Sequence, residues 1–255
     1  MMKIAALYDI HGNYPALKAV LHELEHVKPD RIVIGGDLIS GPMPVQTLNC
    51  LLNLRDKINV TFIRGNGDRE VVEASQGSQL LHISEEGREA TKWVAKNLTH
   101  QDLYFLSNLD DVASIHVDAF GNVLFCHATP KNDHDIFTPL TPKKRIKELF
   151  AEVDQSVIVC GHTHIQFEME LEEVSIFNAG SIGMPFAKQP GAYWLLIDSD
   201  QIEFKRTTYD FEKAALEISA VHSPGAEEFI NTNVLHVPNE EESMIFLEKL
   251  ANKAK

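Results

Sequence analysis

Five short polar clusters occur along the chain, and each contains side chains that could bind a divalent metal ion. Aspartate and asparagine offer oxygen ligands and histidine offers an imidazole nitrogen, a mixed donor set that suits Mn²⁺, Fe²⁺, Co²⁺, Ni²⁺ or Zn²⁺. The clusters are Asp9-Ile10-His11, Gly36-Asp37, Gly65-Asn66-Gly67-Asp68, Cys126-His127 and Gly161-His162-Thr163-His164. Together they predict one site that binds two metal ions.

A short apolar or β-branched run precedes each cluster, as expected of a buried strand. These runs cover residues 4–8, 31–35, 60–64, 123–126 and 157–160. Because α/β sheets place their sites at the carboxyl ends of strands, we expect the clusters to meet at one edge of the fold. One cluster alone would be weak evidence, since an Asp-x-His triplet is usually part of an ordinary turn.

The ordered set of clusters resembles the signature of the calcineurin-like metallophosphoesterase superfamily, and in particular its compact bacterial and archaeal branch. The resemblance covers about positions 3 to 208. It implies an α/β fold, a four-layer α-β-β-α sandwich with two mixed sheets. We expect a catalytic domain over residues 1–208 with a helical insert at about 70–107, and a C-terminal helical extension over 209–255 packed on the same domain.

The resemblance also implies how the metal ligands divide between two ions, with the Asp37 carboxylate bridging them. The first ligand set is Asp9, His11, Asp37 and His164. The second ligand set is Asp37, Asn66, His127 and His162. Four histidines favour a transition metal, because Mg²⁺ and Ca²⁺ prefer nearly all-oxygen shells. We expect two divalent transition-metal ions, Mn²⁺ first, with Fe, Zn²⁺ or Ni²⁺ as alternatives.

Such a pair of ions predicts hydrolysis of a phosphodiester or a phosphomonoester. Two ions about 3.5–4 Å apart share a water molecule, lower its pKa and hold the resulting hydroxide in line with phosphorus. The nucleophile is then a metal-bridging hydroxide, with Asp37 and Asn66 as catalytic residues of the centre. The alternative is a non-catalytic metal-binding interaction module that retains the phosphoesterase fold. A structural zinc site fits poorly, because such sites are usually closed four-ligand shells rich in cysteine.

Gly67 departs from the superfamily pattern. Many members have a histidine there, which is thought to stabilise the transition state or protonate the leaving oxygen. Losing a positioned general acid costs ~10²–10⁴-fold when the leaving group is poor. Without that imidazole, Asp68 is expected to pair with Arg64 or Arg69. The sequence therefore predicts selectivity by leaving group or a replacement acid, for which His134 is the candidate.

A polar loop follows the fourth cluster, and its residues are candidates for contact with substrate. The hypothesis is that the loop overhangs the metal ions and that Thr129, Asn132 or His134 contacts the phosphate or the leaving group. The competing interpretation is an ordinary surface loop. Arg64 and Arg69 are further candidates for phosphate binding, because a guanidinium group can donate two parallel hydrogen bonds.

Three further segments are interpreted as structural. Trp93, in the helical insert, could stack on a substrate base, but its helical spacing favours the core. The turn over residues 178–183 is expected to shape the site without taking part in the chemistry. The helices after Tyr209 either pack on the sandwich or make a dimer contact, and the sequence leaves both open.

Composition limits the partners. The 255 residues are 44% hydrophobic and 24% charged, as in ordinary globular proteins. A formal net charge of −14 argues against binding of a long nucleic acid, which lysine and arginine would have to neutralise. A small phosphorylated substrate still fits, because two divalent ions make the site locally positive.

Neither a signal peptide nor a membrane span is expected, and the three cysteines do not suggest disulfides. We expect a cytoplasmic protein without a membrane partner, and a homo-oligomer remains open.

Overall fold

The computed structural model describes residues 2–253, which form two mixed five-stranded sheets. The strands are β1 (Ile4–Leu7), β2 (Arg31–Ile34), β3 (Asn59–Phe62), β4 (Val112–Val117), β5 (Gly121–Cys126), β6 (Val157–Cys160), β7 (Gln166–Leu171), β8 (Val174–Ala179), β9 (Ala192–Asp198) and β10 (Gln201–Thr207). The first sheet has the order β10-β9-β1-β2-β3 and the second β4-β5-β6-β8-β7. In the first sheet β1, β2 and β3 are parallel, and β9 and β10 are added beside β1 by antiparallel pairing. In the second sheet the parallel strands β5, β6 and β8 are flanked by antiparallel β4 and β7. The predicted α/β class with two mixed sheets is confirmed.

The helices alternate with the strands in the first half of the chain and gather at its end. They are α1 (Tyr14–Val27), α2 (Pro44–Leu54), α3 (Asn66–Ser75), α4 (Glu85–Asn97), α5 (His100–Ser107), α6 (Lys143–Leu149), α7 (Phe211–Ser219), α8 (Ala226–Phe229), a π-helix (Ile230–Val234) and α9 (Glu240–Lys253). Asn13 caps α1, because its side-chain oxygen accepts a hydrogen bond from Ala16 N at 3.2 Å. The sequence did not predict α8 or the π-helix, which are too short to show a helical period.

Three buried clusters define the four layers. Side chains of β1 alternate between two of them: Ile4 and Ala6 point into the cluster between the sheets, whereas Ala5 and Leu7 point into the one under α1 and α2. A third cluster, which includes Ile146 of α6 and Leu247 of α9, covers the outer face of the second sheet. The order helix, sheet, sheet, helix follows.

Apolar side chains of the chain after residue 209 pack in two of the buried clusters. Helix α7 and the π-helix pack around Met43, which precedes α2. Leu247 of α9 packs on the second sheet. The division of the chain at residue 208 remains a prediction. Within residues 2–253, no helix combines the length and the apolar character needed to cross a membrane.

A buried hydrogen bond from Tyr8 connects the two sheets, and its loss should measurably lower the free energy of unfolding. The fully buried hydroxyl donates a 3.0 Å hydrogen bond to the Val159 carbonyl, and burial raises the pKa of Tyr8 well above its usual range. We expect Tyr8→Phe to lower the free energy of unfolding by about 1 kcal/mol, because a buried hydrogen bond is lost. Urea denaturation measures the change. Tyr104→Phe, at a largely exposed position, is the control, and equal stability of both variants would contradict the expectation.

Candidate metal centre

All seven predicted metal ligands lie just beyond the carboxyl ends of strands. They are Asp9 and His11 after β1, Asp37 after β2, Asn66 after β3, His127 after β5, and His162 and His164 after β6. The first four come from the first sheet and the last three from the second. The structure thus brings the five clusters together where strand ends of the two sheets meet.

Five of these seven residues have a left-handed backbone. The φ angles are 52° at Asp9, 48° at His11, 52° at Asp37, 67° at His162 and 60° at His164. For a residue with a Cβ atom this conformation costs roughly 1–3 kcal/mol and persists only where the surrounding structure enforces it. Such concentrated strain is typical of a functional site.

The first ligand set is tightly gathered. His11 Nε2 lies 3.0 Å from His164 Nε2 and 3.4 Å from Asp37 Oδ2, and His164 Nε2 lies 3.4 Å from Asp9 Oδ1. Asp9 Oδ1 is buried and has no hydrogen-bond partner within residues 2–253. An unpaired buried carboxylate oxygen is costly, and a bound cation would satisfy it.

The second ligand set contains an amide that hydrogen bonding alone does not explain. The side-chain oxygen of Asn66 faces two ring nitrogens, His127 Nε2 at 3.2 Å and His162 Nδ1 at 3.0 Å. Reversing the amide would satisfy hydrogen bonding better. A cation between the oxygen and the two imidazoles explains the observed arrangement, since all three atoms can be its ligands.

Asp37 lies between the two sets. Its Oδ2 is directed towards His11, and its Oδ1 lies 3.6 Å from His127 Nε2 and accepts a 2.7 Å hydrogen bond from Gly67 N. This orientation fits the predicted bridging role. Asp9 Oδ1 is also 3.9 Å from both His11 Nε2 and His127 Nε2, so it reaches towards the second set as well as the first.

The protonation equilibria favour metal binding by most of these groups. Burial lowers the pKa of His11, and it lowers the pKa of His162 to about 4, with the charge of His127 adding to the effect at His162. A neutral imidazole has the free lone pair that a metal requires. At Asp9, burial alone would raise the pKa, but the neighbouring imidazoles, His164 first, outweigh it and hold the pKa well below its usual range.

His127 behaves differently from the other imidazoles. Burial lowers its pKa, but the carboxylates of Asp37 and Asp9 and the Gly35 carbonyl outweigh burial, so the pKa is raised. His127 Nδ1 is positioned to donate to that carbonyl at 2.9 Å, which leaves Nε2 facing the centre. A cation there would compete with a proton for Nε2. The donor set therefore fits two divalent ions.

Several residues around the ligands hold them in place. Ser181 Oγ donates to the backbone oxygen of Asp9 at 2.7 Å, and Asn178 Nδ2 donates to Gly161 O at 2.6 Å. These bonds agree with the predicted role of residues 178–183 in shaping the site. Ser40, whose Oγ lies 2.9 Å from His11 Nδ1, was not predicted. No sequence signal marked Ser40, because it lies in an irregular loop.

The predicted pairing of Asp68 with an arginine is wrong. Asp68 is fully buried and accepts hydrogen bonds from Leu38 N at 2.9 Å and Gly65 N at 3.0 Å. Because α3 begins at Asn66, Asp68 occupies the third helical position, where a carboxylate can cap the preceding backbone. Burial, with the Asp37 charge, raises the pKa of Asp68 to about 7.

The four predicted substrate-binding residues line one cavity of about 260 Å³ beside His127, which we call the arginine cavity. They are Arg64, Arg69, Thr129 and Asn132. Their polar groups are largely engaged within the protein. Thr129 Oγ1 and Asn132 Nδ2 both donate to Asp135 Oδ2, at 3.0 and 2.7 Å.

The two arginines are paired with carboxylates. Arg69 donates two hydrogen bonds to Asp133, at 2.7 and 3.1 Å, and Arg64 Nη2 donates to Asp111 Oδ1 at 2.5 Å. Arg64 Nε is buried and has no partner within residues 2–253. Phosphate contact by these residues stays a prediction.

His134 lies near the centre without joining the ligands. Its side chain is 66% exposed, and Nδ1 lies 2.9 Å from Asp133 Oδ1. The neighbouring Asp133 carbonyl is 3.3 Å from the Asn66 amide, so the loop backbone reaches the ligands. The acid role of His134 stays a prediction.

Gly67 and Ser40 share one small space. A Cβ atom at position 67 would lie 2.4 Å from Ser40 Oγ and 3.0 Å from Asp37 Oδ1. The histidine that many superfamily members have at this position therefore cannot be accommodated beside Ser40 without displacing it. Ser40 is also the residue that holds His11.

We expect Gly67→Ala to lower the free energy of unfolding by about 1–3 kcal/mol through overpacking. This cost exceeds the gain of at most ~1 kcal/mol that alanine brings to a helix. Ser40→Ala removes the closest contact, so Gly67→Ala should cost less in that background. Urea denaturation of the single and double variants in a chelating buffer measures the coupling. Additive effects, within about 0.5 kcal/mol, would show that the two residues do not compete for space.

Comparison with known proteins identifies the family. A family model described as the calcineurin-like phosphoesterase superfamily domain matches residues 2–201. The chain therefore belongs to this superfamily, as the sequence motifs predicted. Superfamily membership supports a phosphoester hydrolase and implies divalent metal ions.

Individual relatives agree with this assignment. The chain is 30% identical over 230 residues to the uncharacterized protein MJ0912 of Methanocaldococcus jannaschii, covering 83% of this chain and 89% of the relative. It is 27% identical over 209 residues to phosphodiesterase YfcE of Escherichia coli K12, covering 78% and 89%. The crystal structure of the hypothetical protein PH1004 from Pyrococcus horikoshii OT3 superimposes with a TM-score of 0.82 at 22% identity, over 94% of this chain and 100% of that one. That likeness shows a shared fold, and the small bacterial and archaeal branch is supported.

Proposed function

We propose that the protein is a dinuclear-metal-dependent phosphoesterase that hydrolyses a small phosphodiester or phosphomonoester. The observation that carries the proposal is the position of Asp37, whose two carboxylate oxygens face opposite ligand sets 3.4 and 3.6 Å away. The relative named phosphodiesterase YfcE supports the reaction class. When bound, two divalent ions supply an activated water molecule and Lewis-acid contacts to the phosphate oxygens.

The chain's own residues would prepare this chemistry by fixing their positions in advance. Ser40 holds the His11 ring, Gly35 fixes the orientation of the His127 ring, and Gly67 N holds one oxygen of Asp37. Preorganised ligands do not need to rearrange when charge develops on the phosphate. The arginine cavity lies beside His127, where it can receive a substituent of the ester.

The first experiment tests metal-dependent hydrolysis with Asp37→Asn. The protein is chelated and supplied with Mn²⁺, and turnover of bis(p-nitrophenyl) phosphate and p-nitrophenyl phosphate is compared. We expect Mn²⁺ to restore turnover, and Asp37→Asn to reduce it roughly 10³-fold, equivalent to the several kcal/mol that metal contacts supply. The ratio of the two substrates shows whether diesters or monoesters are preferred.

Asp118→Asn, in an exposed turn, is the matched control and should keep its activity. Metal analysis separates the two function classes. Two bound ions without turnover of either ester would contradict the proposal and favour the non-catalytic interaction module. Repetition with Fe²⁺, Zn²⁺ and Ni²⁺ tests the preference for Mn²⁺.

We also propose His134 as the acid that replaces the missing histidine at position 67. Arg69 holds Asp133, and the Asp133 carboxylate contacts His134 Nδ1, so the other ring nitrogen is available to a leaving oxygen. His134→Ala should slow an alkyl ester by ~10²-fold or more and a p-nitrophenyl ester much less, because a good leaving group needs no proton. Steady-state kinetics on both esters measures the difference. His116→Ala, at an exposed histidine of β4, is the control, and equal slowing of both esters would rule out the acid role.

A further inference from the structure

A second cavity, which shares no lining residue with the arginine cavity, is lined by Ser40 and Met184. It has a volume of about 260 Å³ and is formed by the loop at residues 40–42, helix α4, Met184 and the segment 224–233. We call it the aromatic cavity. It approaches the His11 side of the centre through Ser40, whose Oγ contacts the His11 ring at 2.9 Å.

Met184 provides a second connection to the centre. Its backbone N donates at 2.7 Å to Ser181 Oγ, which in turn donates at 2.7 Å to the backbone oxygen of Asp9. The arginine cavity is thus lined by His127 itself, whereas the aromatic cavity is linked to His11 through Ser40 and to Asp9 through Met184 and Ser181. A phosphodiester has two substituents on phosphorus, and two flanking cavities provide a place for each.

The lining of the aromatic cavity combines apolar surface with negative charge. The residues that give it this character are Pro42, Trp93, Met184, Phe229, Glu86 and Glu228. No lysine, arginine or histidine occurs among the described residues that line it. Neither glutamate takes part in a salt bridge with any residue between positions 2 and 253.

These features favour a cationic occupant. Aromatic rings attract ammonium groups through their faces, with the strongest effect at tryptophan, and the two carboxylates add a negative potential at the rim. Trp93 packs on the core under the first sheet, as predicted, and also lines this cavity. The volume lies just below the range typical of drug-sized ligands and suits one ester substituent better than a large partner.

The backbone of the lining is also unusual. Thr232 and Asn233 lie in the π-helix Ile230–Val234, and Asn233 Nδ2 donates to Thr232 Oγ1 at 2.9 Å. Single π-helical turns are rare and occur frequently at functional sites. The helical insert and the C-terminal segment meet at this cavity.

We propose that the aromatic cavity binds one substituent of the phosphodiester and selects a substituent that has a quaternary or protonated amine. This inference rests on the proposed function. In the reaction, water adds to phosphorus, one P–O bond to an alcohol breaks, and the proton released by water is transferred to the departing alcohol. The cavity sets which ester is bound and takes no part in bond breaking.

The test uses three esters that share p-nitrophenol as the leaving group. They are p-nitrophenyl phosphorylcholine, the neutral isostere p-nitrophenyl 3,3-dimethylbutyl phosphate, and thymidine 5′-p-nitrophenyl phosphate. We expect kcat/KM for the choline ester to exceed that of the neutral isostere by about 10-fold, a value between the effects of an exposed and of a fully desolvated cation–π contact. A ratio near one, or a preference for the thymidine ester, would overturn the proposal.

A matched pair of double variants assigns the selectivity to this cavity. Glu86→Gln/Glu228→Gln removes the two lining carboxylates, whereas Glu85→Gln/Glu227→Gln makes the same charge change in the same first turns of α4 and α8. The ratio of choline to neutral ester should fall in the first variant, because the carboxylates add to the attraction by the aromatic rings, and stay unchanged in the second. Equal ratios in both variants would contradict the assignment.

A binding measurement separates this proposal from the proposed function. Choline chloride, at ionic strength matched with NaCl, is titrated while tryptophan fluorescence is followed, with 3,3-dimethylbutanol as the neutral probe. The chain has two tryptophans, and the other, Trp194, is fully buried. A saturable change in fluorescence with choline but not with 3,3-dimethylbutanol, absent in Trp93→Phe, supports choline binding in the aromatic cavity even if no ester is hydrolysed. Hydrolysis of bis(p-nitrophenyl) phosphate without any fluorescence response to choline would overturn the proposed role of the aromatic cavity and leave the proposed phosphoesterase function intact.

Discussion

The structure depends on burying two carboxylates and several imidazoles at one point between two sheets. Asp9 is fully buried and Asp37 is 3% exposed. A buried carboxylate is tolerated only when hydrogen bonds or cations compensate for the lost hydration. His162 N donates to Asp9 Oδ2 at 2.8 Å and Gly67 N to Asp37 Oδ1 at 2.7 Å, which leaves the remaining oxygens for the imidazoles and for metal.

This requirement determines the shape of the surrounding loops. The backbone must turn sharply after each of these strands to direct side chains inwards, which explains the left-handed conformations at five of the candidate ligands. Gly36 shows how closely the segments approach, since a Cβ atom there would lie 2.4 Å from His127 Nδ1 and its φ is +101°. Because ligands come from both sheets, the packing between the sheets, including the Tyr8 hydrogen bond to Val159, sets the distances in the centre.

Much of the fold and the convergence of the candidate ligands could be predicted from sequence because candidate ligands and strands are adjacent along the chain. An apolar run followed by Asp37 or His127 identifies both the strand and the side chain that follows it. The error over Asp68 had a physical cause: nearby arginines suggested an ion pair, but the start of α3 at Asn66 offers the carboxylate two backbone donors. Ser40 could not be predicted, because its contact with His11 joins residues 29 positions apart.

The cavities were beyond sequence analysis for the same reason, since each is built from segments distant in the chain. Their charges differ in a way that bears on the proposed selectivity. In the arginine cavity, Arg69 and Arg64 face Asp133 and Asp111, so much of the positive charge is compensated internally. In the aromatic cavity, Glu86 and Glu228 are not compensated by any lining cation. Under the proposed function, discrimination by charge should therefore arise mainly in the aromatic cavity, because its lining charges have one sign and no lining residue compensates them.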